Sequence, residues 1–164
     1  MRRVIILFLF SLAFSLWPEI VQARDVFDAP CRKYGLPKDL VLAIARQESS
    51  WHPWTVNVAG KDYRPRTKAE ALEIINRAQA AGQSYDVGLM QVNCQWLRKF
   101  RISPAVALEP RNNAMLGCWI LASAIREHGM TWKAVGVYHS PTPARQLNYA
   151  RRVAKHLNTL RGQK

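Results

Sequence analysis

Glu48 is the residue whose type and position most directly suggest chemistry. It comes after the apolar run at residues 42–45, and Trp51 and Trp54 follow shortly after it. Loss of water around a carboxyl group disfavours its charged form and raises its pKa, which suits the group to donate a proton near neutral pH. Glu48 is therefore a candidate acid/base. The alternative is an ordinary surface glutamate at the end of a helix.

A second candidate cluster lies at residues 86–93. Gly88 permits an unusual backbone torsion or a close backbone approach, and Met90 is apolar and adaptable. The side-chain amides of Gln91 and Asn93 can donate and accept hydrogen bonds, as hydroxyl and N-acetyl groups require. The alternative is that this segment is a turn followed by the start of a helix.

The elements that must position these residues are predicted to be helices. Apolar residues recur at helical spacing, and Gly35, Pro37 and Gly129 mark helix ends or starts. Almost nothing has the pattern of an extended sheet, so the sequence predicts a mainly α fold. The predicted helices cover about residues 26–34, 37–48, 67–82, 92–100, 110–128, 131–138 and 143–160.

Residues 57–84 form one long excursion from the helical pattern. The polar, turn-rich start of this segment suits an exposed loop or a small hairpin. Thr67 and Glu70 then form a capping box, which predicts the start of a helix. The sequence does not decide whether the excursion is a lid or a docking surface.

The last predicted helix has one apolar face and one basic face, as expected for a helix that packs on a core. The apolar positions are Leu147, Ala150, Val153, Ala154 and Leu157, and the basic ones are Arg151, Arg152 and Lys155.

The chain carries a formal net charge of +13. Such a charge concentrates polyanions near the surface. No recognised nucleic-acid-binding motif appears, and an exported protein more often meets the cell wall or anionic lipid. We therefore expect no nucleic-acid partner.

Residues 1–23 have the pattern of a secretory signal peptide. Arg2 and Arg3 give a positive start, residues 4–16 are almost continuously apolar, and residues 21–23 suit a signal peptidase. An uncleaved anchor is the alternative, but the apolar run is shorter than the roughly 20 residues of a spanning helix. We predict a signal peptide at 1–23 and one domain at 24–164, located in the periplasm or associated with the cell envelope.

Three cysteines remain after the predicted cleavage. Cys31, Cys94 and Cys118 allow one disulfide and three possible pairings in an oxidising compartment. We favour a bridge that includes Cys118. No cysteine or histidine spacing suggests a metal site, so no metal is expected.

Four short motifs occur in an order that resembles a known family. Gln47-Glu48-Ser49 follows an apolar helix, and residues 88–93 read Gly-Leu-Met-Gln-Val-Asn. Asn113 with Gly117 and then Val137-Tyr138-His139 complete the set. Together they resemble the soluble lytic transglycosylase (SLT) domain of conjugation, type III and type IV secretion systems. The resemblance covers about residues 30–157 and implies a lysozyme-like single domain.

The resemblance also implies roles for particular residues. Glu48 would be the sole catalytic acid/base. Trp51 and Trp54 either stack on sugars or pack in the core, and His139 stands where the family usually has asparagine. The residues expected to line the substrate cleft are Ser49, Met90, Gln91, Asn93 and Tyr138.

The implied reaction cleaves the β-1,4 bond between N-acetylmuramic acid and N-acetylglucosamine in peptidoglycan. The N-acetyl group of the muramic acid residue stabilises the developing positive charge, and Glu48 protonates the departing oxygen. Glu48 then takes the proton of the C6 hydroxyl, which closes a 1,6-anhydro ring without metal, cofactor or water. The resemblance implies a monomer that opens the wall locally, with components of a secretion or conjugation apparatus as possible partners.

Two alternatives remain open. Asp86 precedes Gly88 much as the second carboxylate of animal-type lysozymes precedes a similar glycine, so a hydrolytic muramidase using Glu48 and Asp86 is one of them. Asp86 is equally suited to a turn. The other alternative is a non-catalytic peptidoglycan-binding scaffold, since a fold alone does not establish activity.

Overall fold

Local sequence signals end the first two helices where the sequence predicts. A computed structural model of the protein describes residues 25–162. Helix α1 (Asp28–Tyr34) ends at Gly35, which has a φ of 65° and donates its N–H to the Cys31 carbonyl. Helix α2 (Lys38–Ser49) ends because Ser50 takes a left-handed φ of 54°. Glu48 therefore lies in the last turn of α2.

The predicted excursion is a hairpin followed by a helix. Strands β1 (Val56–Val58) and β2 (Lys61–Tyr63) pair antiparallel, and helix α3 (Lys68–Ala80) follows them. The Thr67 side chain caps α3 by accepting a hydrogen bond from the Glu70 N–H at 3.2 Å. The capping signal therefore marked the start of this helix correctly.

The hairpin is part of a small antiparallel sheet that the sequence did not predict. Strands β3 (Tyr85–Val87) and β4 (Val92–Asn93) complete it, in the order β2-β1-β3-β4. Its strands have only two or three residues, too short for a clear alternation of apolar and polar positions. One face of the sheet is nevertheless apolar and buried in the core, through Val56, Val58, Tyr85, Val87 and Val92.

The remaining described chain is helical, in agreement with the predicted mainly α fold. Helices α4 (Cys94–Phe100), α5 (Pro104–Ala107), α6 (Pro110–His128), α7 (Trp132–His139) and α8 (Pro143–Arg161) follow in order. The sequence analysis missed α5, which is a single short turn. It also started α4 two residues early, because Val92 and Asn93 are in β4 before the chain becomes helical.

Helix α8 packs against α2 and α7 through most of the predicted face, with Leu147 as the exception. Its buried residues are Tyr149, Ala150, Val153 and Leu157. Leu147 was expected to face inward and is 54% exposed. At 3.6 residues per turn it lies about 120° around the helix from Val153, outside the buried stripe.

The cysteines are thiols in this structure. Cys31 on α1 and Cys118 on α6 are both buried and hydrogen-bonded to each other. Cys94 lies elsewhere, near the side chain of Ser84. The favoured bridge through Cys118 is therefore not formed here, although Cys118 has one cysteine beside it.

Within residues 25–162, no helix has the length and apolarity needed to cross a membrane. The predicted signal peptide at 1–23 lies outside the described residues.

Candidate active site

A cleft of about 1170 Å³ separates the sheet from the helices. One wall contains polar residues of the sheet, including Asp86 and Asn93. The other contains residues from the end of α2 and from α7, including Glu48 and Tyr138. The cleft therefore brings together the two candidate clusters that lie 40 residues apart in sequence.

Glu48 has the environment of a proton donor. Its Oε1 atom is buried and has no hydrogen-bond partner within residues 25–162. Burial raises the pKa of Glu48 from 4.5 to about 8, and the negative charge of Asp86 adds to the rise. The Tyr149 hydroxyl and the positive charge of Arg152 lower this pKa by less. The carboxyl is therefore protonated at neutral pH, as a general acid requires.

Tyr149 supplies the polar group that approaches this carboxyl. The residue is fully buried on α8, and its hydroxyl, which lies near the Glu48 carboxyl, makes no hydrogen bond within residues 25–162. Burial raises the pKa of Tyr149 well above its usual value, so the phenol stays neutral. A neutral hydroxyl beside Glu48 can donate to the carboxylate form once the proton has left.

Asp86 stands on the sheet wall of the same cleft. Its Oδ1 accepts a hydrogen bond from Asn93 Nδ2 at 2.8 Å. Burial raises the pKa of Asp86, whereas the bond from Asn93 lowers it by less. The structure thus places a second carboxyl group in the cleft that contains Glu48.

Ser49 and Met90 do not line the cleft, contrary to what the resemblance implies. Both side chains are fully buried. The Ser49 hydroxyl donates to the Leu89 carbonyl at 2.9 Å and so ties the end of α2 to the 88–93 segment. These two residues therefore support the site from beneath.

Gln91, Asn93 and Tyr138 do line the cleft. Gln91 Nε2 donates to the carbonyls of Thr55 and Gly88, at 3.0 and 2.8 Å. Its backbone has a φ of 44°, a torsion that few non-glycine residues adopt. The Tyr138 hydroxyl donates to the Met90 carbonyl at 2.6 Å, so Tyr138 holds the turn and does not bond to Glu48.

Asn113 connects the motif that contains it to the motif at residues 88–93. It is fully buried, accepts from the Met90 N–H at 2.8 Å and donates to the carbonyls of Val87 and Ala107 at 2.8 and 2.9 Å. A Cβ on Gly88 would lie 2.4 Å from Asn113 Nδ2. Only glycine leaves room for this side chain, so the buried amide fixes the turn before Gln91.

Gly117 leaves room for Met90 in the way that Gly88 leaves room for Asn113. A Cβ on Gly117 would lie 2.4 Å from Met90 Cβ, so the glycine lets the methionine pack directly on α6. The two glycines and their two buried partners form one packing unit beneath the cleft.

Comparison with known proteins agrees with this arrangement. Residues 25–157 match the model of the transglycosylase SLT domain. The chain belongs to the SLT transglycosylase family. It is 33% identical over 140 residues to the X polypeptide of Escherichia coli, covering 83% of this chain and 70% of that protein. It is also 27% identical over 159 residues to the invasion protein IagB of Salmonella typhi, covering 94% and 81%.

The SLT cleft contains an aromatic residue that the sequence analysis missed. Trp96 lines the cleft, and its ring stands edge-on to Trp119, with centroids 5.6 Å apart. Trp51 and Trp54, the two tryptophans considered from sequence, are partly buried against the core and do not line the cleft. Trp96 lies on α4, three residues after the candidate cleft residue Asn93. That closeness in sequence could have identified it as a cleft residue.

The sequence did not predict that Tyr149 lies near Glu48 or that His139 packs on Tyr149. Tyr149 lies in the buried stripe of α8, whereas the predicted stripe contained Leu147 instead. His139 lines the cleft, and its ring stacks on that of Tyr149. No group of three or more histidine, cysteine or acidic residues is placed to hold a metal within residues 25–162.

Proposed function

We propose that this protein is a lytic transglycosylase that cleaves peptidoglycan glycan strands with Glu48 as its acid/base. The observation that carries the proposal is the state of Glu48, a buried carboxyl with a pKa of about 8 in a cleft lined by both polar and apolar residues. Membership of the SLT family supports peptidoglycan as the substrate.

The two proton transfers use the same carboxyl group. Protonated Glu48 donates its proton to the glycosidic oxygen as the bond to the anomeric carbon of N-acetylmuramic acid breaks. The carboxylate so formed takes the proton of the C6 hydroxyl, whose oxygen bonds to the anomeric carbon and closes the 1,6-anhydro ring. A pKa close to the working pH suits a group that must both give and take a proton, and the Tyr149 hydroxyl favours the intermediate carboxylate.

A hydrolytic muramidase is the second candidate because Asp86 faces the same cleft. A retaining hydrolase needs a second carboxylate as nucleophile or charge stabiliser, and that carboxylate must be ionised. Burial raises the pKa of Asp86, which disfavours its ionised form, and the chain matches the transglycosylase SLT domain. We therefore favour the transglycosylase.

The setting follows from the same proposal. An exported enzyme of this kind opens the wall locally for a secretion or conjugation apparatus. The predicted signal peptide supports a periplasmic location, and the similarity to IagB, which is called an invasion protein, supports the association with such an apparatus.

The product of digestion separates the candidates. Purified peptidoglycan is digested with the mature protein and with Glu48→Gln, and the released fragments are weighed by mass spectrometry. Anhydro-muramic ends that are absent with the variant support the transglycosylase. Reducing ends, heavier by one water, mean hydrolysis instead.

Asp86→Asn sharpens the comparison. A transglycosylase keeps forming anhydro ends in this variant, whereas a hydrolase that depends on Asp86 loses its product. A native protein that binds the wall and releases nothing, alone or with components of the apparatus, would overturn the enzymatic proposal in favour of a scaffold.

A further inference from the structure

One polar residue from each strand forms a continuous row on the cleft face of the sheet. The strand register pairs Asn57 with both Asp62 and Asp86, and Asp86 with Asn93. All four line the cleft. We call the four residues the polar row. At about 4.8 Å between strands it is about 14 Å long, so it extends well beyond the immediate surroundings of Glu48.

Each amide of the polar row donates to a neighbouring carboxylate. Asn57 Nδ2 donates to Asp62 Oδ1 at 2.6 Å, and Asn93 Nδ2 donates to Asp86 Oδ1 at 2.8 Å. Within residues 25–162 the second oxygen of each aspartate accepts no hydrogen bond. The two aspartates therefore retain acceptor capacity for a ligand in the cleft.

Asp62 occupies this place because of the hairpin turn. Ala59 and Gly60 have φ values of 49° and 91°, as the tight turns of two-residue hairpins require. The Gly60 N–H also donates to Asn57 Oδ1 at 2.9 Å. This turn fixes the register of β2, and with it the position of Asp62 at the end of the polar row.

The charge of Asp62 acts inside the cleft. It contributes to the raised pKa of Glu48 and of Asp86, after burial and the nearer hydrogen bonds. Asp62 itself is exposed and has no cation beside it in an ion pair within residues 25–162. Asp62 is therefore an exposed carboxylate that lines the cleft and can accept a hydrogen bond from a hydroxyl or N–H group of a ligand.

We propose that Asp62 binds a sugar residue away from the cleaved bond, as an acceptor for a hydroxyl or an N-acetyl N–H. The hairpin thereby lengthens the glycan site, and longer strands bind better than short ones. This assignment rests on the proposed function, because it takes the ligand to be a glycan strand.

Binding to an inactive protein tests the assignment without depending on cleavage. The parent is Glu48→Gln, and the probes are peptidoglycan glycan fragments of two, four and six sugars, measured by calorimetry. Asp62→Asn keeps an oxygen for the Asn57 amide but presents an NH₂ donor where the free carboxylate oxygen was. We expect about a tenfold loss of affinity for the longest fragment, in line with the loss of one charged hydrogen bond, and little change for the disaccharide.

Two further variants control for charge and folding. Glu73 is an exposed carboxylate on α3 in the same excursion and does not line the cleft, so Glu73→Gln should bind all fragments like the parent. Asp62→Glu retains the charge and should recover part of the lost affinity. In the active protein, Asp62→Asn should raise KM for long strands and leave kcat nearly unchanged.

The failures are distinguishable. Equal affinity of Asp62→Asn and the parent for the six-sugar fragment overturns the assignment alone. An equal loss for all three fragments also overturns it, because that result places the effect at the cleaved bond. A parent that binds no fragment at all overturns the proposed function together with this assignment.

Discussion

The imidazole of His139 lies flat on the ring of Tyr149, with centroids 4.4 Å apart and 4° between the ring planes. His139 lines the cleft, whereas Tyr149 is fully buried and its hydroxyl lies near Glu48. Burial lowers the pKa of His139, and the charges of Arg152 and Arg145 lower it further. A neutral imidazole therefore covers the tyrosine whose hydroxyl lowers the pKa of Glu48.

Replacing Tyr149 by phenylalanine should change the pH dependence of cleavage. The hydroxyl lowers the pKa of Glu48, so its loss raises that pKa further. In the proposed mechanism, cleavage needs protonated Glu48 in its first step, so activity is lost as pH rises through the pKa of that carboxyl. The alkaline limb of kcat/KM should therefore move to higher pH, with less than about a tenfold change at pH 6.

Tyr34→Phe, on helix α1, is the matched control for this measurement and should leave the limb in place. An unchanged alkaline limb in Tyr149→Phe would show that the hydroxyl does not act on Glu48.

Glu48 should make the protein less stable as the pH rises. The native state keeps the Glu48 proton up to a pKa of about 8, whereas the unfolded chain loses it near 4.5. The free energy of unfolding therefore falls between these two pH values, by up to about 5 kcal/mol. Glu48→Gln removes this dependence and should melt higher than the native protein at pH 9, with a smaller difference at pH 5.

Thermal melts of both proteins across this pH range provide the measurement, with Glu73→Gln as the surface control. Burial also raises the pKa of Asp86, but that group is present in both proteins and cancels in the comparison. If the Tm values of the two proteins changed with pH in the same way, the raised pKa of Glu48 would be contradicted.

Asn113→Ala should destabilise the fold more than an equivalent change beside it. The substitution leaves the Met90 N–H and the Val87 and Ala107 carbonyls without their buried partner. Each of these three orphaned groups costs roughly 1–3 kcal/mol, so we expect a total loss of about 3 kcal/mol or more in urea unfolding.

The neighbouring Asn112→Ala loses one exposed hydrogen bond, to the Val106 carbonyl, and should cost less than about 1 kcal/mol. Similar losses in the two variants would contradict the role given to Asn113.

Cys31 and Cys118 should form a disulfide when the protein is oxidised. The two buried thiols are already hydrogen-bonded, whereas Cys94 is elsewhere. Oxidised glutathione would accept two electrons and two protons from this pair and yield two reduced molecules. Peptide mapping after alkylation should find one 31–118 bridge and an alkylated Cys94.

Because the bridge would close a long loop, it should add up to about 4 kcal/mol of stability. A reductant should therefore lower the Tm of the native protein and of Cys94→Ser, but not that of Cys31→Ser. A bridge that contains Cys94 would contradict the prediction.

The local sequence determined most of the helix boundaries. Gly35, Thr67 and Gly129 ended or capped helices where expected, because capping depends on residues next to the helix end. The motif around Glu48 was also recognisable from sequence, since the apolar residues before it recur at helical spacing.

Only the tertiary structure decided how the site is assembled. The family resemblance implied that Ser49 and Met90 line the cleft, yet both support it from below. The sequence did not identify Tyr149 or Trp96, and it gave only Asp86 and Asn93 of the four residues in the polar row. Which helix face is buried depends on the packing of α8 against α2 and α7, and the row depends on register between strands far apart in sequence. Neither relationship is written in the spacing of neighbouring residues, because each arises from contacts between distant segments.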